Sequence, residues 1–248
     1  MSSDRAVRPR PFSLRPVRPA GWWFDLVLVA TFVALTVALA RGHLLGTDLA
    51  VAAWMDEHRP RPLYWAARVL NYLGQGGQVL MPLAVLLGAA VAWRRRTVRP
   101  VLVIAAAFLL TYVTVGPLKL WFDRAAPHSV LPDRAELFND LPPGEYGLSY
   151  PSGHVANALV WYAAIAVLAS ALLRSLDRPP LSPAAYTAIR VVPPAVVFCT
   201  TTYLSFHWIT DSVAGLLLGL VLARLLVRIP FDEVVLPLRT SRFDGPIS

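Results

Sequence analysis

The sequence predicts an all-α, polytopic membrane protein, a bundle of six transmembrane helices. Two observations support this fold class. Of the 248 residues, 56% are hydrophobic and only 15% are charged, whereas about 25% of the residues of a typical soluble protein are charged. Six stretches are also apolar and long enough, or nearly so, to cross a bilayer, which takes about 20 residues of helix. This combination excludes a disordered chain, a coiled coil and an ordinary soluble enzyme.

The six predicted spans are separated by polar loops. The first follows a basic leader and ends in Ala38-Leu39-Ala40, which resembles a signal-peptide cleavage site. Its apolar run of about 19 residues exceeds the 7–15 of a signal peptide, which favours a retained span. The second and fifth spans are short, so their ends are the least defined. The predicted spans cover residues 22–40, 79–93, 101–118, 155–173, 191–204 and 212–227.

Shorter features are predicted outside the spans. Residues 62–73 carry apolar and aromatic side chains at helical spacing, which predicts a short interfacial helix between the first two spans. Its expected anchors at the membrane surface are Tyr64, Trp65 and Tyr72. The Arg- and Pro-rich residues 1–20 predict a disordered cytoplasmic arm. Residues 21–229 are expected to form one six-helix domain, followed by a cytoplasmic tail over 230–248.

Basic residues are unevenly distributed among the loops. Sixteen of the 23 lie in the N-terminal arm, in the loops after the second and fourth spans, or on the C-terminal side. Because cytoplasmic loops are rich in Lys and Arg, this pattern places both termini in the cytoplasm. Loops 41–78 and 119–154 and the turn 205–211 then face outward. The net charge of +8 is explained by anionic lipid headgroups, so the predicted partner is the bilayer rather than nucleic acid.

Three short polar segments carry residue types suited to catalysis. The first runs from Lys119, the sole lysine, through Arg124 to His128; the second is Pro-Ser-Gly-His at 151–154; the third is His-Trp-Ile-Thr-Asp at 207–211. On the predicted topology all three lie at the same face of the membrane. Dense polarity between apolar spans is typical of a functional site.

The residue types and spacings fit phosphoryl transfer. His207 and Asp211 are four residues apart and would share one helical face, so the carboxylate could fix the imidazole tautomer. His154 follows Gly153 at a helix start, where free N–H groups favour an oxyanion. Lys119 adds positive charge. The sequence has no cluster of cysteines and histidines with the spacing of a zinc site, so neither a metal nor another cofactor is predicted.

This set resembles the type-2 phosphatidic acid phosphatase superfamily, the lipid phosphate phosphatases related to vanadium haloperoxidases. The family pattern is Lys, six residues, Arg-Pro; then Pro-Ser-Gly-His; then Ser-Arg, five residues, His, three residues, Asp. The second motif matches completely at 151–154, and the residues that match in the other two are Lys119, Pro127, His207 and Asp211. The resemblance covers roughly residues 22–228.

Two departures from the family pattern stand out. The first-motif arginine falls on Ala126, and the third-motif Ser-Arg pair falls on Thr200-Thr201. Loss of one preorganised hydrogen-bond donor lowers the rate roughly 10²–10³-fold. The absence of both arginines therefore predicts a slower reaction or a different substrate. Arg124 and His128 flank the first missing position, and either could take part of its role.

The resemblance implies a role for each matching residue. His207 would attack phosphorus and form a phosphohistidine, supported by Asp211, and His154 would protonate the leaving lipid alcohol and then activate water. The phosphate oxygens would be held by Lys119, Ser152 and Gly153. To this set we add Arg124 as a further phosphate-binding candidate, which the resemblance itself does not supply.

Three functions follow as hypotheses. The first is a lipid phosphatase of a bacterial cytoplasmic membrane, because near-exclusive use of Arg over Lys suggests a GC-rich bacterial genome. The second is a phosphotransferase that passes the group to an alcohol. The third is a non-catalytic lipid-binding protein, against which the retained Lys, His and Asp residues argue. The sequence leaves open the lipid, the choice between hydrolysis and transfer, and the oligomeric state.

Overall fold

Eight α-helices make up the described part of the chain. The computed structural model describes Leu14, Pro19 and residues 21–139, 141 and 147–234. Most of the predicted arm over 1–20 and most of the predicted tail over 230–248 therefore lie outside the described residues. The helices are α1 (Trp22–Ala40), α2 (Leu45–Glu57), α3 (Arg61–Leu70), α4 (Met81–Arg95), α5 (Arg99–Phe122), α6 (Gly153–Ser175), α7 (Pro183–Tyr203) and α8 (Ile209–Arg228).

Six helical segments in these ranges are long and apolar enough to cross a membrane, which confirms the predicted fold class. They are α1, α4 with the wide π-type turn Gly76–Leu80 that precedes it, and α5 to α8. The first coincides with the predicted 22–40. The fifth begins eight residues before the predicted 191, at Pro183. Arg190 hid this start, because a charged residue interrupts the apolar run. Pro193 and Pro194 lie inside the predicted span, and a bundle tolerates them because neighbouring groups satisfy the freed carbonyls.

Two helices, rather than the single predicted one, connect the first two spans. α3 lies where the short interfacial helix was expected, with Trp65 exposed. α2 was not predicted, because its apolar residues lack a helical period. Its first turn contains the fully buried Asp48. A buried carboxylate needs hydrogen-bond or ion-pair partners. The partners of Asp48 lie at the candidate active site.

α6 is the central helix, packed against α4, α5, α7 and α8 and buried along most of its length. Two glycines of α8 face it at very short range. A Cβ at Gly215 would lie 2.5 Å from the carbonyl oxygen of Ser152, and one at Gly219 would lie 2.8 Å from the Cα of Ala156. Close backbone approach through small residues is typical of membrane bundles. It places the start of α6 directly beside the first turns of α8.

The opposite end of α8 binds α1 through charge. Asp25 of α1 accepts hydrogen bonds from Arg224 Nε and Arg228 Nη2, each at 2.5 Å. All three side chains are largely buried. Arg228 also lies over the Trp22 ring, with 3.9 Å between its guanidinium carbon and the ring centroid. These contacts attach the peripheral first span to the bundle.

Candidate active site

The three predicted motifs meet at one end of the bundle. His154 is the second residue of α6, His207 lies in the turn between α7 and α8, and Asp211 is in the first turn of α8. His154 Nδ1 is 3.4 Å from His207 Nε2. Lys119, in the last turn of α5, donates from Nζ to the carbonyl of Leu148. The candidate catalytic residues therefore form one cluster.

Asp211 holds the far side of the His207 ring. His207 Nδ1 lies 3.6 Å from Asp211 Oδ2 and 3.3 Å from Ser149 Oγ. Ser149 donates its hydroxyl to the same carboxylate oxygen at 2.5 Å, and the Trp208 N–H donates to it at 3.0 Å. With Nδ1 turned to these acceptors, Nε2 is the ring nitrogen left for chemistry. Burial lowers the pKa of His207, although Asp211 opposes the effect, so the ring is neutral at pH 7.

Arg124 supports Asp211 from behind. Its Nη1 donates to Asp211 Oδ1 at 2.6 Å, and its Nη2 donates to Asp48 Oδ2 at 2.6 Å. Asp48 also accepts from the N–H and hydroxyl of Thr210, at 3.1 and 2.6 Å. Arg124, Asp48 and Asp211 have no exposed surface. A buried carboxylate–guanidinium–carboxylate row thus links α2, the 123–152 loop and α8 directly behind His207.

Arg124 and Ser152 do not line the cavity in which phosphate would bind. The guanidinium of Arg124 is fully buried and bound to Asp48, Asp211, Thr210 and the Ala135 carbonyl. The Ser152 side chain is also fully buried and caps α6, with Oγ accepting from the Val155 N–H at 3.5 Å. The geometry thus gives both residues a supporting position, unlike the phosphate contact expected from the sequence.

A cavity of about 640 Å³ opens beside the two histidines. Of the expected phosphate-binding residues, Lys119 and Gly153 line it. Lys119 is the only Lys or Arg among the described lining residues. Ala126 also lines it, so the position of the first missing arginine faces open space. Thr201, at the second missing position, is fully buried, and its hydroxyl has no hydrogen-bond partner among the described residues.

Sequence reasoning did not single out Gln75, which touches the histidine pair. Its carboxamide nitrogen lies 3.4 Å from His154 Nε2. A Cβ at Gly74 would lie 2.6 Å from a Val197 methyl, and one at Gly76 would lie 3.0 Å from the Asn157 carboxamide carbon. Both glycines therefore let this turn press against α6 and α7. The Gly-Gln-Gly-Gly sequence at 74–77 is typical of a helix break, but nothing in it predicts a contact with His154.

An adjoining groove of about 310 Å³ runs along α4, α5 and α6. It shares Lys119 and Gly153 with the main cavity. Its remaining walls are mostly apolar and include Met81, Phe108, Tyr112, Val115 and Trp161. The polar cavity thus borders an apolar groove between spans. Within the described ranges, no group of three or more His, Cys, Asp or Glu side chains could hold a metal ion.

The sequence and the fold are both similar to those of known proteins. A family model described as the PAP2 superfamily matches residues 100–234. Phosphatidylglycerophosphatase B of Bacillus subtilis (strain 168) is 32% identical over 207 residues, which cover 82% of this chain and 92% of that protein. The crystal structure of a transmembrane PAP2-type phosphatidylglycerolphosphate phosphatase from Bacillus subtilis aligns with a TM-score of 0.67 and 26% identity, over 87% of this chain and 98% of that one.

Proposed function

The chain belongs to the PAP2 superfamily, and we propose that it is a membrane lipid phosphatase acting through a phosphohistidine on His207. The observation that carries this proposal is the geometry of that ring. Its Nδ1 faces the Asp211 carboxylate at 3.6 Å, which leaves Nε2 for attack beside the cavity. The family resemblance drawn from the three motifs is confirmed, although this chain lacks both motif arginines.

In the first step, His207 Nε2 attacks phosphorus. A bond forms between nitrogen and phosphorus as the bond from phosphorus to the lipid oxygen breaks. His154, 3.4 Å from His207 Nε2 before substrate enters, takes up a proton from solvent as the negatively charged phosphate binds beside it, and gives this proton to the leaving alkoxide. Because the phosphoryl group occupies the space of that contact, the two rings separate when substrate binds. The Asp211 carboxylate stabilises the positive charge that develops on His207.

In the second step, neutral His154 removes a proton from water, whose oxygen attacks phosphorus. The bond to His207 breaks and inorganic phosphate leaves. Lys119 and the Gly153 N–H at the start of α6 stabilise the oxygens in both steps. Because Lys119 is the only Lys or Arg among the described lining residues, this cavity provides less fixed charge than the family motif.

We propose a glycerophospholipid phosphate monoester as the substrate. The adjoining groove fits an acyl chain while the phosphate occupies the polar cavity. The Bacillus subtilis relatives are named for phosphatidylglycerophosphate, which makes that lipid the first candidate. Phosphatidic acid and polyprenyl diphosphate share the required phosphate and long apolar tail.

Phosphate release from purified protein tests this function. The substrates are phosphatidylglycerophosphate, phosphatidic acid and a polyprenyl diphosphate, each assayed with and without a chelator. We expect release from at least one lipid, unchanged by the chelator and abolished in His207→Ala. His43→Ala, at an exposed histidine, is the matched control. Full activity of His207→Ala would refute the mechanism, and loss of activity on chelation would refute its metal independence.

One observation favours phosphotransfer as a second candidate. A cavity in which Lys119 is the only Lys or Arg among the described lining residues suits the single negative charge of a phosphodiester better than the double charge of a monoester. The same two histidines would then pass a phospho-headgroup to an alcohol. Product that forms only when an acceptor alcohol is added would establish this candidate in place of hydrolysis.

We also propose that the site faces outward from a bacterial cytoplasmic membrane, with both termini inside. The asymmetry of basic residues supports this orientation. Cysteines introduced by Glu136→Cys and Arg178→Cys, in a Cys199→Ser background, test it with an impermeant maleimide on intact cells. Both positions are exposed, at opposite ends of the bundle. Labelling of position 136 alone is expected, and labelling of 178 alone would reverse the orientation.

A further inference from the structure

A second cavity, of about 530 Å³, lies at the end of the bundle opposite the candidate active site. It is bounded by the end of α6, the start of α7 and the last turns of α8, and its lining includes Arg174, Tyr186, Arg190 and Arg224. Arg174 lies 21 residues after Gly153 along α6, a distance of about 31 Å. This Arg174 cavity is therefore separate from the site beside the histidines.

Two of its guanidinium groups have no acceptor within the described part of the chain. Among the described residues, neither the Arg174 nor the Arg190 side chain has a hydrogen-bond or ion-pair partner, and the Nε atom of each is buried. The Tyr186 hydroxyl is also buried without a partner there. Arg190 lies 5.4 Å from the centroid of the Tyr186 ring. The cavity thus brings together several N–H donors and a hydroxyl, and a guanidinium can only donate.

Nearby carboxylates bind other groups. Asp25 accepts hydrogen bonds from Arg224 and Arg228. Asp232, which acts electrostatically on Arg174, accepts the Leu14 N–H with both carboxylate oxygens at 2.9 Å. Neither forms an ion pair with the Arg174 guanidinium.

The depth of Arg190 distinguishes it from an ordinary surface arginine. It lies seven residues after the start of α7, about 10 Å along a helix that is long and apolar enough to span the membrane. A charged residue inside a span is costly and is typical of a functional site. Tyr186 precedes it by four residues and so lies on the same face of α7.

We infer that the Arg174 cavity binds a phosphate-type oxyanion through Arg174, Arg190 and Tyr186. Guanidinium forks match phosphate oxygens in geometry and charge. Two sources supply this chemistry: the phosphodiester headgroup of an anionic lipid in the adjacent leaflet, or free phosphate. Basic pockets between spans near the membrane surface bind anionic headgroups in this way. Apolar lining residues such as Val167 and Val227 would contact the glycerol and upper acyl chain. This inference does not depend on the proposed catalytic function.

Binding to the delipidated full-length chain tests the inference. Native mass spectrometry with added dioleoyl-phosphatidylglycerol measures lipid binding, and calorimetric titration with inorganic phosphate measures free anion binding. The test variant is Arg174→Gln/Arg190→Gln. The control is Arg96→Gln/Arg178→Gln, which removes the same charge from exposed positions at the same end. Phosphate binding beside the histidines contributes equally to both proteins.

We expect the test variant to bind at least one of the two probes tenfold or more weakly than wild type, while the control binds as wild type does. Loss of lipid binding alone identifies a headgroup, and loss of phosphate binding as well identifies a general oxyanion site. Equal affinities in the test and control variants overturn the inference, because only total charge would then matter. If the double variant does not fold, Tyr186→Phe decides: threefold weaker binding supports the site, and unchanged binding overturns it.

Discussion

Replacing Arg124 with methionine should lower the stability of the protein and leave phosphate binding almost unchanged. The change keeps an unbranched side chain but removes the cation between Asp48 and Asp211, which lie 2.6 Å from its two Nη atoms and have no exposed surface. Removing one partner of a buried ion pair costs about 3–5 kcal/mol. For a chain of this size, 1 kcal/mol corresponds to roughly 2–4 °C. The thermal midpoint in detergent should therefore fall by about 6–20 °C.

The activity of Arg124→Met should also fall, because Asp211 would lose the group that holds its carboxylate against His207. The inhibition constant of inorganic phosphate should change little, since Arg124 does not line the cavity. Arg41→Met, at an exposed arginine, is the control for loss of one charge. An unchanged midpoint together with weakened phosphate inhibition would refute this reasoning and show that Arg124 binds phosphate.

A double-mutant cycle between Arg124→Met and Asp48→Asn isolates the interaction itself. Because the amide carries no charge, the destabilisation of the double variant should be smaller than the sum of the two single losses. Additive losses would show that Arg124 and Asp48 act independently, against their 2.6 Å contact.

Three further predictions concern the general acid, pH and helix packing. Gln75→Leu should lower kcat about two- to tenfold, because the side chain loses its hydrogen bond to His154. The control is Gln78→Leu, at an exposed glutamine of the same segment. Equal effects of the two changes would contradict a role of Gln75 in positioning His154. Because burial lowers the pKa of His207 below its ordinary 6.5, the ring stays neutral as pH falls through 6.5. The acid limb of kcat/KM, which reports ionisation of the free enzyme, should therefore lie below pH 6.5 after correction for substrate ionisation, and a limb above 6.5 would contradict this. Gly215→Ala should lower the free energy of unfolding by about 1–3 kcal/mol through overpacking. Gly116→Ala, where an added Cβ would have nothing within 4 Å, should be neutral or slightly stabilising in a thermal melt. Equal thermal midpoints of the two variants would refute the tight α6–α8 contact.

The sequence predicted the spans well where apolar residues are uninterrupted and poorly elsewhere. α1 has 19 residues with one charge, so both its ends were found. The start of α7 was missed because Arg190 interrupts its apolar pattern. Hydropathy assigns such residues to loops, yet in the bundle Arg190 borders a cavity. α2 was missed because it is not amphipathic and is held by Asp48, through contacts to residues far along the chain.

The candidate catalytic residues could be predicted because their motifs combine fixed spacing with rare residue types. His154, His207 and Asp211 were identified from such motifs and lie together. The direction in which Arg124 faces could not be predicted, because a position two residues from a motif arginine fits either a cavity-facing or a buried side chain. Only the contacts of its guanidinium with Asp48, Thr210 and Asp211 show that it supports Asp211.

Detection of the covalent intermediate tests the central claim most directly. Purified protein is mixed with its best lipid substrate, quenched in base, in which phosphohistidine survives, and analysed by peptide mass spectrometry. A nitrophenyl phosphate, whose leaving group needs no proton, serves as a second substrate for His154→Ala. We expect a phosphoryl group on His207. This phosphohistidine should accumulate in His154→Ala, because that variant no longer activates water. A phosphoryl group on another residue, or rapid turnover by His207→Ala, would contradict it.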